Sequence, residues 1–146
     1  MIPKIKFEYS PDMDARQRRS TFFYQLWGSG TCSPEYLSPR DVRGILPQMK
    51  DAWEKSGYKL LADVPSATGL LWKSQKIYVY AVGGGRSYST NPEYARVPVK
   101  FAIKKDMEHG VDELFHELIH RNFVDNPLES KPSFDKMRSY SPIFDT

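Results

Sequence analysis

A chain of 146 residues has the length of one ordinary domain, and 40% of its residues are hydrophobic while 27% are charged. This apolar content is enough for a packed core and excludes a wholly disordered chain. The 21 basic and 18 acidic residues leave a net charge of +3, a surplus so small that we expect no nucleic-acid partner.

Membrane insertion and export are not expected either. No run approaches the roughly 18 consecutive apolar residues of a membrane helix, and the amino-terminal stretch is too polar for a signal peptide. We therefore expect a cytoplasmic protein without a membrane partner. The single cysteine, Cys32, excludes an internal disulfide and a thiolate metal cluster. All three histidines, in contrast, fall within a span of twelve residues: His109, His116 and His120.

The first 37 residues carry few clear signals. Lys4–Tyr9 predicts a short strand. Arg18–Trp27 fits either a strand or a helical turn, and both interpretations stay open. We treat the whole as one domain in which residues 1–37 are an amino-terminal extension, with a regulatory role as one option, and residues 38–146 are the core.

The first clear helix is predicted over residues 38–57. Ser38 can cap its start, Pro39 suits the first helical position, and Gly57 supplies a stop signal. Pro47 predicts a kink or a new first turn inside it. The apolar positions recur at helical spacing and form one stripe: Val42, Ile45, Met49 and Trp53.

Three strands are predicted next, at Tyr58–Asp63, Lys76–Val82 and Val97–Ile103, and Leu70–Trp72 could add a fourth. Residues 106–123 then return to helical period, and a proline-rich tail follows. This order of helix, strands, helix and tail predicts an α+β domain with a mixed sheet of three to four strands.

Residues 116–120 read His-Glu-Leu-Ile-His, an H-E-x-x-H sequence on the second predicted helix. Imidazoles four residues apart share one helical face, so His116 and His120 can both turn a nitrogen to one zinc ion. Glu117 lies beside the first ligand, where it can take a proton from an attacking water and deliver it to the leaving amine.

The H-E-x-x-H motif is specific for a chain of this composition. With three histidines and eight glutamates, chance supplies it only about 0.003 times. The alternative is an exposed helix that happens to carry two histidines.

The motif resembles the signature of the zincin metallopeptidases, whose active-site helix carries both zinc-binding histidines and the general base. The stretch VRGILPQMKDAWEKSGYKLL also resembles the first helix and following strand of small zincin domains, so the resemblance spans residues 38–123. It implies a zincin-like fold and zinc-dependent hydrolysis of a peptide or protein substrate. His116 and His120 would then hold the zinc, with Glu117 as general base. By its order, Val97–Ile103 would be the strand that pairs with extended substrate, or else a plain core strand.

The sequence differs from one branch of the family, the metzincins, at the position of the third metal ligand. No histidine follows His120, and Asn126 occupies the position of the third histidine in the metzincins. A carboxylate ligand remains, as in the gluzincins and aspzincins. The Asn-Pro turn could fold the chain back toward the metal, which makes Glu129 the first choice. The other candidates are Asp125, Asp135 and Asp145.

The roles of two further residues have more than one interpretation. His109 is expected to cap the start of its helix, and the alternatives are metal binding from upstream and substrate binding. Tyr140 either stabilises a reaction oxyanion or simply packs. Two other functions compete with an active peptidase: an inactive binding module that zinc stabilises, and a DNA-associated protease of the SprT-like kind. The second expects a further downstream histidine, which this sequence lacks.

Overall fold

The computed structural model describes residues 1–26, 36–85, 87 and 99–126, with side chains only to Ser20 in the first of these ranges. These residues form an α+β domain. Its elements in chain order are β1 (Lys4–Tyr9), α1 (Pro11–Leu26), α2 (Pro39–Ala52), a π-helical turn (Trp53–Gly57), α3 (Tyr58–Thr68), β2 (Lys76–Val82), β3 (Val99–Ala102) and α4 (Met107–Asp125). None of the helices in these ranges is long and apolar enough to cross a membrane.

The three described strands form one sheet in the order β1-β2-β3. Both pairings are parallel, with Lys4 opposite Lys76 and Val79 opposite Val99, whereas the sequence predicts a mixed sheet. Parallel neighbours need a long crossover, and between β1 and β2 the chain makes that crossover through α1, α2 and α3. Because β1 belongs to this sheet, the first strand of the amino-terminal segment is part of the same packed unit.

The core lies between one face of the sheet and helices α2 and α4, which also pack on each other. Strand residues alternate between buried and more exposed positions, so each strand sends every second side chain to this face. Each fully buried aliphatic or phenylalanine side chain contributes about 1.5–3 kcal/mol. The buried strand residues are Ile5, Phe7, Ile77, Val79, Ala81, Val99 and Phe101, and those of the two helices include Val42, Leu46, Met49, Val111, Leu114, Leu118, Ile119 and Phe123.

The strand predicted at Tyr58–Asp63 is wrong, because the chain stays helical through Gly57 to Thr68. The buried positions Trp53, Gly57, Leu61 and Val64 are spaced at helical intervals. Gly57 is there for packing rather than as a stop, since a Cβ at this position would overlap the Trp53 indole. The helix ends at Gly69, which adopts the left-handed conformation (φ +75°) that favours glycine.

Replacing Gly57 with alanine is expected to lower the free energy of unfolding by about 1–3 kcal/mol, because the buried indole cannot move aside freely. Gly44→Ala is the matched control. Gly44 lies inside α2, and a methyl group added there would meet nothing within 4 Å, so alanine should leave stability unchanged or raise it by up to about 1 kcal/mol. Urea denaturation followed by circular dichroism measures both. Equal effects of the two substitutions would refute the packing role of Gly57.

The helical interpretation of Arg18–Trp27, one of the two that the sequence allows, agrees with the structure, where α1 includes this segment as far as Leu26. Leu70–Trp72 forms no strand. It runs beside α3 and the end of α4, and the Trp72 indole N–H donates to the carbonyl of Leu61 (2.7 Å). Pro47 does not end α2, which continues through it to Ala52.

A polar cluster around Asp14 ties α1 to the carboxyl ends of β1 and β2. The Asp14 side chain is buried and accepts hydrogen bonds from the Tyr36 hydroxyl (2.8 Å), the Tyr9 hydroxyl (2.8 Å) and the Gly83 backbone N–H (2.9 Å). Arg18 lies 4.0 Å from the same carboxylate, and its guanidinium lies over the Tyr36 ring. Burial and the hydrogen bond to Asp14 raise the pKa of Tyr36 well above its ordinary value, so this hydroxyl remains a donor.

Candidate metal centre on helix α4

Helix α4 is fixed at its amino-terminal end by a cap and a close helix contact. The carboxylate of Asp106 accepts the backbone N–H of His109 (3.2 Å), so Asp106 is the capping residue. The expectation that His109 caps the helix is therefore wrong, and the His109 side chain is exposed. Gly110 allows α2 to approach closely, because a Cβ there would lie 3.1 Å from the sulfur of Met49.

The structure brings His116 and His120 together on one face of α4. Their Nε2 atoms are 3.0 Å apart, and the two rings meet edge-on with centroids 4.6 Å apart. Two nitrogens bonded to one tetrahedral zinc at about 2.0–2.1 Å lie about 3.3 Å from each other. The pair would need to open by only a few tenths of an ångström, so these two side chains fit a shared metal ion.

Burial favours the neutral form of both histidines by lowering the pKa of each. Burial, and to a smaller extent the neighbouring His116, lowers the pKa of His120 to about 4. Burial also lowers the pKa of His116, although the negative charge of Glu113 acts in the opposite direction. Neutral imidazole is the form that binds a metal, so proton competition at this pair is weak near neutral pH. The neutral form also allows one imidazole to donate a hydrogen bond to the other across the 3.0 Å contact between their Nε2 atoms.

Two glutamates flank the first histidine. Glu117 follows His116 directly and is buried, with 9% of its surface exposed. A carboxylate next to His116 has the chemistry that a general base needs. Glu113 lies one turn earlier and forms an ion pair with Lys104 (3.6 Å). Its charge therefore has a partner outside the histidine pair.

Two buried asparagines pin the carboxyl-terminal end of α4 to the segment that precedes β2. Asn122 donates to the carbonyl of Leu70 (3.4 Å), and Asn126 donates to the carbonyl of Leu71 (3.2 Å). Asn126 also donates to the Asn122 side chain (2.8 Å). These bonds satisfy backbone carbonyls in a buried region and fix the direction of the helix after His120.

Asp125, one of the candidate third ligands, does not join the histidines. Its carboxylate is buried and accepts a hydrogen bond from the Ser74 hydroxyl (3.0 Å). In the ranges that the structure describes, no group of three histidine, cysteine or acidic side chains converges on one point. The remaining candidates for the third ligand lie outside the described residues: Glu129, Asp135 and Asp145. Cys32 and Tyr140 also lie outside them.

Neither the asparagine network nor the Asp14 cluster was predicted from the sequence. Asn122 did carry a sequence signal, because it stands four residues after Leu118 and therefore on the apolar stripe of α4. In the structure its side chain is almost fully buried. A polar side chain at such a position points to a buried hydrogen bond. Asp14 gave no comparable signal, since α1 has no apolar stripe against which a buried carboxylate would stand out.

Comparisons with known proteins found no relative of this chain. The chain matches no protein-family model, no curated protein and no solved structure. Its function must therefore be inferred from the residues of α4 and the geometry around them.

Proposed function

We propose that this chain is a zinc-dependent metallopeptidase with a zincin-like fold, acting on a peptide or protein substrate in the cytoplasm. One observation carries the proposal. The two imidazoles of an H-E-x-x-H motif converge to 3.0 Å between Nε2 atoms on a packed helix, with the motif's glutamate buried beside them. Both imidazoles are half-buried, a position that costs free energy unless the ring nitrogens have partners, and a bound metal would be such a partner.

In this proposal each residue of the motif has a separate task. His116 and His120 hold the metal as neutral ligands, and Glu129, from the tail, is the carboxylate that we propose as the third. Bound zinc would supply Lewis acidity for the attack of water on a peptide carbonyl. Glu117 removes a proton from the attacking water and then transfers it to the departing amine nitrogen. The Asn122–Asn126 network keeps the helix, and with it both imidazoles, in one orientation.

The substrate would lie extended beside β3. This strand is an edge of the described sheet and directly precedes α4 in the chain. Backbone groups on an edge strand can pair with an added peptide strand, which would hold the scissile bond near the helix.

The proposal predicts one zinc ion per chain, lost when either motif histidine is removed. His116→Ala and His120→Ala should each weaken zinc binding by more than about 100-fold, because a direct ligand matters more than the outer partners whose loss costs about 10–100-fold. His109→Ala is the matched control, since His109 is exposed on the same helix. Elemental analysis of the purified variants gives the zinc content.

A peptide-library cleavage assay on the same samples separates the two functions that zinc binding allows. Cleavage that a chelator stops and zinc restores supports the peptidase. Stoichiometric zinc without any cleavage supports an inactive module that the metal stabilises. Equal zinc in all three variants and the parent chain contradicts the site itself.

A further inference from the structure

The face of the sheet opposite the core carries an unusual set of side chains. Lys4 and Lys6 on β1 alternate with buried residues, and so do Lys76 and Tyr78 on β2. The parallel register sets Lys4 opposite Lys76 and Lys6 opposite Tyr78. We call these four residues the lysine–tyrosine face. Helix α4 lies on the other side of the sheet, where Gly110 packs near Phe101.

The lysines of this face repel one another. Like charges directly opposite each other on neighbouring strands destabilise a sheet, and Lys4 and Lys76 are such a pair. The charge of Lys4 lowers the pKa of Lys6, and Lys76 and Lys50 add to this effect. Glu8 lies on the same side of β1 and is the one acidic residue in the three described strands, so the lysines outnumber it on this face. A bound anion would relieve this repulsion.

An exposed aromatic ring lies among these ammonium groups. Tyr78 is 46% exposed in the middle of β2. The Nζ atom of Lys76 lies over this ring, 5.9 Å from its centre. Tyr80 follows on the same face and is half-buried. The sheet thus presents a rigid aromatic surface bordered by positive charge.

We propose that the lysine–tyrosine face binds single-stranded nucleic acid, with phosphates on the lysines and a base stacked on Tyr78. Basic surfaces with exposed aromatic rings bind single strands in this way, because every base has a flat face to stack. Lys4 and Lys6 are about 6.6 Å apart along the strand, far enough to meet separate phosphates. An acidic peptide would use the lysines but would leave the ring without a role.

This nucleic-acid surface does not depend on the metal centre, which lies on a helix of the opposite face. It also differs from the expectation drawn from net charge. A surplus of +3 over the whole chain does not reveal that three lysines and an exposed ring are concentrated on one side of two strands.

The test is fluorescence anisotropy of the full chain with a labelled oligothymidylate of about 12 nucleotides. For three lysine–phosphate contacts, log Kd should change with log salt with a slope of about 2 in magnitude. Lys4→Glu should weaken binding at least about tenfold and reduce that slope by about 0.7. Tyr78→Ala should weaken binding about tenfold and leave the slope unchanged.

Two controls separate specific binding from unfolding and from bulk charge. Lys4→Glu places a negative charge opposite the positive charge of Lys76, so the Tm of this variant should not fall. Lys105→Glu makes the same charge change beyond the carboxyl end of β3, at the other end of the sheet, and should bind like the parent chain. The proposal would be overturned if the parent chain did not bind the oligonucleotide, or if Lys105→Glu lost as much affinity as Lys4→Glu. It would also be overturned if anionic vesicles competed fully for binding while Tyr78→Ala had no effect.

Discussion

Glu117→Gln is expected to abolish peptide hydrolysis while zinc remains bound at one ion per chain. Glutamine keeps the size of the side chain and cannot take a proton from water, so only the general base is lost. Proton transfer by a positioned side chain is typically worth a factor of about 10²–10⁴ in rate. The substitution should therefore lower kcat by at least about 100-fold, with little change in the temperature of unfolding.

Hydrolysis of a cleavable peptide, zinc content and Tm should be measured on one preparation of this variant. Glu108→Gln is the matched control, because Glu108 is an exposed glutamate in the first turn of the same helix. It should retain full activity. Loss of zinc in Glu117→Gln would make the residue part of the metal site rather than the base, and full activity would contradict the mechanism.

The largest effect on stability is expected from Asp14→Ala. The substitution removes the acceptor of the Tyr36 hydroxyl, the Tyr9 hydroxyl and the Gly83 N–H at once. Each buried donor that loses its acceptor costs about 1–3 kcal/mol, and three donors lose theirs here, so we expect a loss of about 3–5 kcal/mol. That is a large share of the roughly 5–15 kcal/mol by which domains are typically stable.

Asp12→Ala provides the comparison for this experiment. Both aspartates lie in the first turn of α1, but Asp12 is exposed while Asp14 is 1% exposed. Losing Asp12 removes only its interaction with the helix terminus, worth about 0.3–1 kcal/mol. Free energies of unfolding from urea titrations should differ by several-fold between the two variants. Similar values would mean that the Asp14 cluster does not hold α1 to the sheet.

The elements that sequence patterns predicted well are those whose signals are local. Strand β2, helix α4 and the start of α2 all agree with the structure, because alternation, helical period and the Ser38 cap depend on near neighbours in the chain. The same is true of the pairing of His116 with His120, which follows from their spacing on one helix.

The errors arose where the packing of a buried side chain changed the role of a residue. Gly57 has the features of a helix stop, yet it is the position where the Trp53 ring needs space, so the helix continues. Tyr58–Asp63 therefore extends that helix, with Leu61 buried, where the pattern had indicated a strand. The sequence pattern does not distinguish a glycine that ends a helix from one that leaves space for the ring of a buried tryptophan one turn earlier, because the orientation of that ring depends on how the helix packs.

Spacing along one helix was enough to predict that two of the three clustered histidines can act as metal ligands, with Glu117 next to the first of them. Those relations depend on helix geometry, whose range is one turn. The half-burial of the pair, and the hydrogen bond that Asp125 accepts from Ser74 instead of joining it, became visible only in the folded structure. The tertiary structure also decided that lysines from β1 and β2 meet on one face of the sheet. Burial and strand pairing join residues that are distant in the chain, and composition or spacing cannot encode which of them meet.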